Sequence, residues 1–378
     1  MKKKTTLLFK PIEDKTIVWF GTKNEYIIVE NITAAILKEL DQGIDIKLLS
    51  EELSKKLTIP KEECKDFILD LKERFLGEAS TNQPEQKIDY KEIKVPVNLE
   101  FIKFYQINDI VFKVAFSNEL ELSFVHPKFA HLEVTEREHQ QYFIVFTEND
   151  HIFLWVNTAI IKSWNKSEIH FFQGKFSMEI IQAMHQKTED NWMGVFHASA
   201  VGNSEKSVLF LGDSGNGKST SLAILQANGF GCVADDFVPI DLKKQEVYSF
   251  PAAISIKKNS LDTLLPIYPE LATTAEYNFK RLRKIVRYLK PNNTEFTQHL
   301  PCNELVFIKY EKDADIQFSK IGKIAAFSQL IPDSWISPKK ENAQVFLDWF
   351  TSLDCYQLTY SNNDEMIQTV SNLFNNDL

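Results

Sequence analysis

The chain has 378 residues, more than one ordinary core needs, and at about 100–200 residues per domain it should hold two or three domains. Its 44% hydrophobic and 25% charged residues exclude a disordered chain, and 29 Phe point to sheet-rich cores. With 52 acidic against 43 basic residues the net charge is −9, so the protein has no general attraction for nucleic acid or anionic lipid, and any polyanion site must be local.

The basic start, Met1 to Lys4, is followed by an apolar run that ends at Lys10, Glu13 and Asp14, too soon for the core of a signal peptide. No stretch approaches the roughly 20 apolar residues that cross a bilayer, so the expectation is a cytoplasmic protein without a membrane partner. Cys64, Cys232, Cys302 and Cys355 are scattered singly, which argues against disulfides or a zinc cluster and fits buried thiols in a reducing compartment.

Thr16–Phe20 and Tyr26–Val29 are β-rich runs joined by a polar turn, and they predict a hairpin. Asn31 is placed to cap a helix that Gly43 ends, and residues 46–57 and 61–75 keep the spacing of one apolar face, predicting two more helices. Residues 1–76 are thus a first domain, and the polar stretch 77–94 a linker. Residues 95–185 begin with alternating apolar and polar residues through about 172, predicting a largely antiparallel sheet, and residues 186–378 carry the chemistry.

Gly212 to Ser219 read Gly-Asp-Ser-Gly-Asn-Gly-Lys-Ser, a full match to the phosphate-loop pattern. An apolar strand, Val208–Leu211, runs into it, and a helix runs from Ser219 to Ala227. The glycines let successive backbone N–H groups turn inward around a phosphate, and the positive end of the helix adds to that field. Lys218 can reach the outer phosphates, and the Ser219 hydroxyl can ligate a Mg²⁺ shared between them. Strand Phe230–Ala234 ends in Asp235 and Asp236; one carboxylate could hold Mg²⁺ and the other accept a proton. His197, in the apolar run Phe196–Val201, is either a core residue or a neighbour of the phosphates.

His197 fifteen residues ahead of Gly212, then the loop, then Val-Ala-Asp-Asp at 233–236, resembles the kinase domain of HPr kinase/phosphorylase. The resemblance implies a PEP carboxykinase-like P-loop fold that binds ATP and Mg²⁺ and phosphorylates a hydroxyl. It further implies catalytic roles for Asp235 as general base, His197 and Lys218, Mg²⁺ ligation by Ser219 and Asp236, and nucleotide contacts from Gly212, Asp213, Ser214, Gly215, Asn216, Gly217, Lys218, Ser219 and Thr220. Lys257 and Arg287 are added to the nucleotide site on softer motifs, Phe250–Lys257 and Val286–Pro291, shared with HPr kinase-related proteins. The family's later Pro-Gly-Arg-Asn signature has no counterpart after Asp236, and Thr220 stands where an acidic residue is common, so the likeness does not extend to HPr as substrate or to phosphorylase activity.

The basic stretch Lys280, Arg281, Arg283, Lys284, Arg287 and Lys290 could receive an acidic peptide or form a solvated face. Residues 1–76 resemble the winged-helix-like PqqD fold, which implies recruitment of a peptide as an added strand. The expected fold class is therefore α+β, or mixed α/β: a PqqD-like unit followed by an HPr kinase-like domain with a mixed sheet. The expected function is an ATP-dependent kinase for a Ser or Thr hydroxyl of a peptide or protein. The alternatives are an ATP-gated peptide-delivery protein and a small-metabolite kinase, and homo-oligomer formation stays open.

Overall fold

A computed structural model describes residues 6–77, 89–90, 92–279 and 284–377. It is a mixed α and β protein with several sheets, divided into two compact units. One unit joins Met1–Asp89 to Gly322–Ile331 and Ile336–Ser352; the other comprises Tyr90–Ile321, Pro332–Trp335 and Leu353–Leu378. Most of the 77–94 linker lies outside the described residues, as do Lys280, Arg281 and Arg283.

In the first unit the predicted hairpin supplies the second and third strands of a three-stranded antiparallel sheet, Leu7–Ile12, Lys15–Phe20 and Glu25–Glu30 in that order. The extra strand contains Pro11, which an edge strand tolerates because one side of its backbone needs no partner in the ladder. Three helices follow, Asn31–Gln42, Ile46–Leu57 and Lys61–Leu76. Gly43 ends the first in a left-handed conformation, φ 85°. Asn31 is not its cap: Glu30 occupies that position, and the Asn31 side chain instead accepts from Thr16 Oγ1 at 2.8 Å and donates to the Asp14 carbonyl at 2.9 Å.

Strand alternation divides the sheet's side chains. Val18 and Phe20 face these helices, where Phe75 stacks on Phe20 at 5.6 Å between ring centroids. Trp19 and Tyr26, opposite each other in register, face the other way, and Tyr26 meets Phe327 and Phe346 edge-on at 6.1 and 5.4 Å. These two rings belong to helices Lys323–Leu330 and Lys340–Ser352, so a late segment of the chain covers the second face. An ion pair, Lys10 to Asp348 at 2.6 Å, ties the same segment to the first strand.

The second unit begins with a six-stranded sheet in the order Glu133–Val134, Phe101–Ile107, Ile110–Phe116, Gln141–Glu148, His151–Val156, Ala159–Asn165. It is antiparallel except where Gln141–Glu148 lies parallel to Ile110–Phe116. The crossover between that pair contains a helix, Glu119–Phe129, which the alternation in the sequence did not announce. A long helix, Ile169–His185, closes the region, with Phe176 against Phe143.

The larger sheet runs Gly231–Asp235, Ser199–Gly202, Ser207–Leu211, His299–Tyr310, then Glu246–Tyr248, Val238–Asp241 and Trp192–Phe196. Ser199–Gly202 is antiparallel to both of its neighbours, so Ser207–Leu211 and Gly231–Asp235 point the same way. His299–Tyr310 pairs parallel with Ser207–Leu211, and Asp354–Tyr360 pairs parallel with His299–Tyr310. The carboxyl ends of four strands therefore reach one edge of the sheet. Beneath them, helices Lys218–Ala227 and Asn363–Asn375 bury Leu222, Leu225, Met366 and Val370 against Val208, Val306 and Leu358.

Candidate functional site

Strand Ser207–Leu211 is buried along its whole length and turns into the loop at Gly212, whose φ of 131° is closed to most side chains. At Gly217 (φ 98°) an added Cβ would lie 3.3 Å from Tyr310 Cβ and 3.4 Å from the Tyr360 hydroxyl. The two tyrosines end the parallel strands beside the loop and hold it from behind. Tyr310 N–H donates to the Asn216 carbonyl at 2.9 Å, and the Tyr360 and Ser221 hydroxyls share a buried hydrogen bond of 2.7 Å.

Helix Lys218–Ala227 starts where the loop ends. The Lys218 ammonium folds back and donates to the Gly212 carbonyl at 2.5 Å. Burial pushes its pKa down, while Asp236, Asp235, Asp333 and Asp213 oppose that effect.

Asp235 is the last residue of its strand and stands directly across from Ser199 in the ladder. Its Oδ1 accepts from the Ser199 hydroxyl at 2.5 Å and the Ser219 hydroxyl at 3.0 Å, and its Oδ2 accepts from Ser255 N–H at 3.1 Å. The side chain is 2% exposed. Burial first, then the Asp236 charge, raises the Asp235 carboxyl to about 6 against the pull of those three donors.

Two adjacent strand residues would point to opposite faces, but the chain leaves the strand at Asp236 with φ 62°. Asp tolerates this left-handed conformation better than most residues, and the turn brings the Asp236 carboxylate onto the wall of a cleft. Its Oδ2 lies 3.6 Å from Lys128 Nζ, and its Oδ1 lies 4.0 Å from His197 Nδ1. Burial lowers the His197 pKa, partly offset by Asp236, and the His197 backbone N–H donates to the Asp333 carbonyl at 3.3 Å.

The cleft runs from Ser214, Gly215 and Gly217–Thr220 on the loop side, past His197 and Asp236, to Ser255, Lys257, Asn259 and Ser260. Lys257 bridges its mouth by donating to Ser214 Oγ at 2.7 Å, and Thr220 donates to Ser260 Oγ at 2.8 Å. Of the sequence-predicted residues, His197, Lys218, Ser219, Asp236 and Lys257 converge here with the loop, and Asp235 sits directly beneath. Arg287 stands apart: its guanidinium donates to the Leu271 carbonyl and, at 3.0 Å, to the Ala272 carbonyl, with Glu276 at 3.6 Å. Asp213 and the Asn216 side chain are not on the cleft wall; Asn216 packs under Gly212.

Sequence reasoning missed Lys128, Ser199, Ser255, Asn259, Ser260 and Asp333. Only Ser199, in the same β-like run as His197, and Ser255, inside the motif Phe250–Lys257, had a local signal.

The Ser219 hydroxyl and the Asp235 carboxylate form a pair of hard oxygen donors at the helix start, which fits Mg²⁺ held jointly with phosphate oxygens. Among the described residues no group of three or more His, Cys, Asp or Glu side chains could hold a metal by itself, and no helix is long and apolar enough to cross a membrane. No family model matches the chain, and comparison with curated proteins returns no match.

Proposed function

We propose that this cleft is a phosphotransferase site that takes ATP with Mg²⁺ and moves the terminal phosphoryl group to a Ser or Thr hydroxyl of a peptide or protein. The observation that carries the reading is the meeting, at one sheet edge, of a phosphate loop, a hydroxyl–carboxylate pair and a second carboxylate on the cleft wall.

Loop N–H groups and the start of helix Lys218–Ala227 receive the phosphates, and Lys218 exchanges the Gly212 carbonyl for phosphate oxygen. Ser219 and Asp235 would hold Mg²⁺, which would neutralise charge on the phosphates. Asp236 accepts the proton of the acceptor hydroxyl as its oxygen bonds to the γ-phosphorus; the bond from that phosphorus to the bridging oxygen breaks, and ADP leaves. A general base must reach its substrate, and this favours Asp236, on the cleft wall, over Asp235, which is buried beneath it. This division is the reverse of the one the resemblance implies. His197 and Lys257 add polar and positive groups beside the moving phosphoryl.

The peptide part rests on the first unit. Its outer strands, Leu7–Ile12 and Glu25–Glu30, each pair on one side only among the described residues, and an unpaired edge suits an added strand. The test is mass spectrometry of candidate peptides incubated with ATP and Mg²⁺. A phosphate-sized gain that disappears in Asp236→Asn supports the reading. Peptide binding with ATP but no mass gain favours a delivery protein, and transfer only to small hydroxyl compounds favours a metabolite kinase.

A further inference from the structure

We infer that Lys128 is a positioning residue of this site, holding the Asp236 carboxylate on the cleft wall from the side opposite His197; the inference rests on the phosphotransferase reading above. Lys128 lies in the last turn of helix Glu119–Phe129, beyond the segment 197–236 that defines the site in sequence. Its backbone is fixed at both ends of that helix. At the start, Asn118 and Glu121 form a reciprocal cap, with Glu121 buried and accepting from the Ser117 N–H and hydroxyl. At the end, Phe129 packs between Phe176 and Phe250, and the Lys128 carbonyl accepts from Ala253 N–H at 2.8 Å. That bond ties the helix to the strand Ile254–Lys257, which carries Ser255 and Lys257 into the site.

With its backbone pinned, Lys128 brings Nζ to 3.6 Å from Asp236 Oδ2 while His197 faces Oδ1. Both side chains are shielded, 24% and 18% exposed. Asp236 sits on a left-handed turn next to a second, buried carboxylate, where an uncompensated charge would swing away. Lys218 also feels the Asp236 charge, but its ammonium donates to the Gly212 and Asp213 carbonyls. Lys128 does not line the cleft, so it acts through Asp236.

The test uses the full chain and Mg-ATP, with phosphate release to water as readout. Lys128→Met should lower kcat by about 10–100-fold, since small misplacements of a reacting group have effects of that size, with KM for Mg-ATP within about threefold. Lys128→Arg should restore kcat to within about threefold of wild type. Should the Met variant fail to fold, Lys128→Gln compared with Lys128→Arg reads the same split. A kcat unchanged in the Met or Gln variant, or an Arg variant as impaired as they are, overturns the inference alone. A wild-type protein that neither binds nor turns over Mg-ATP overturns the phosphotransferase reading and the inference with it.

Discussion

Replacing Asp235 by Asn should stabilise the nucleotide-free protein while abolishing its use of Mg-ATP. The wild-type carboxyl is raised from 3.8 to about 6, chiefly by burial, so in its ionised form it costs the fold ~3 kcal/mol at about 1.4 kcal/mol per pH unit. A folded-state value above the unfolded one means that this share of stability is whole below pH 3.8 and lost as pH rises through about 6. Asn keeps the shape but has one acceptor oxygen for the three donors of Ser199, Ser219 and Ser255, and a buried donor left unsatisfied returns about 1–3 kcal/mol. The variant should therefore gain stability relative to wild type as pH rises from about 4 to about 8, by up to ~2 kcal/mol at the higher value, and be no more stable at about pH 4. Urea unfolding of both proteins at the two pH values measures this, and titration with Mg-ATP measures the functional loss. A variant less stable at the higher pH, or a difference independent of pH, would refute the reasoning, because the site would then hold its carboxylate without strain.

Gly217→Ala should cost about 1–2 kcal/mol from the left-handed backbone alone and weaken Mg-ATP binding, since the new methyl presses on Tyr310 and Tyr360; unchanged affinity would show that the loop is not held from behind. Burial, with Lys290 and Lys187 nearby, lowers His131 and His185 respectively to about 4, so each gives stability that is whole above pH 6.5 and lost as pH falls towards 4, up to ~3 kcal/mol apiece. His185→Gln should accordingly flatten the acid limb of the stability curve, and an unaltered limb would contradict the assignment. Phe346→Ala should destabilise the first unit by about 3–5 kcal/mol, read as loss of its thermal transition. For the same reason removal of residues 1–76 should leave a poorly soluble chain with Phe327 and Phe346 stripped of Tyr26, and a soluble, monomeric truncation would count against that packing.

The loop was legible because it is contiguous: strand, glycines, lysine and helix follow one another, and local backbone rules suffice to read them. Asp235 and Asp236 were legible as a strand end, but not their division, which depends on a left-handed turn and on the register that sets Ser199 opposite Asp235. Lys128 and Asp333 come from distant segments, and the alternation in the sequence did not announce even the helix that carries Lys128. Arg287 shows the converse: the resemblance implied a nucleotide contact, whereas its guanidinium is taken up by carbonyls near Leu271. In the first unit the helices followed from apolar spacing and Gly43. Their sheet's second cover, 322–331 with 336–352, is a long-range choice that periodicity does not encode.

The central claim, transfer of phosphoryl to a peptide hydroxyl at this cleft, is tested most directly with ATP labelled in its γ-phosphate and a degenerate library of Ser- and Thr-containing peptides, followed by phosphoamino-acid analysis. The account predicts label on Ser or Thr that vanishes in Lys218→Met and in Asp236→Asn. Label found only in inorganic phosphate, or on peptide irrespective of both substitutions, would contradict it.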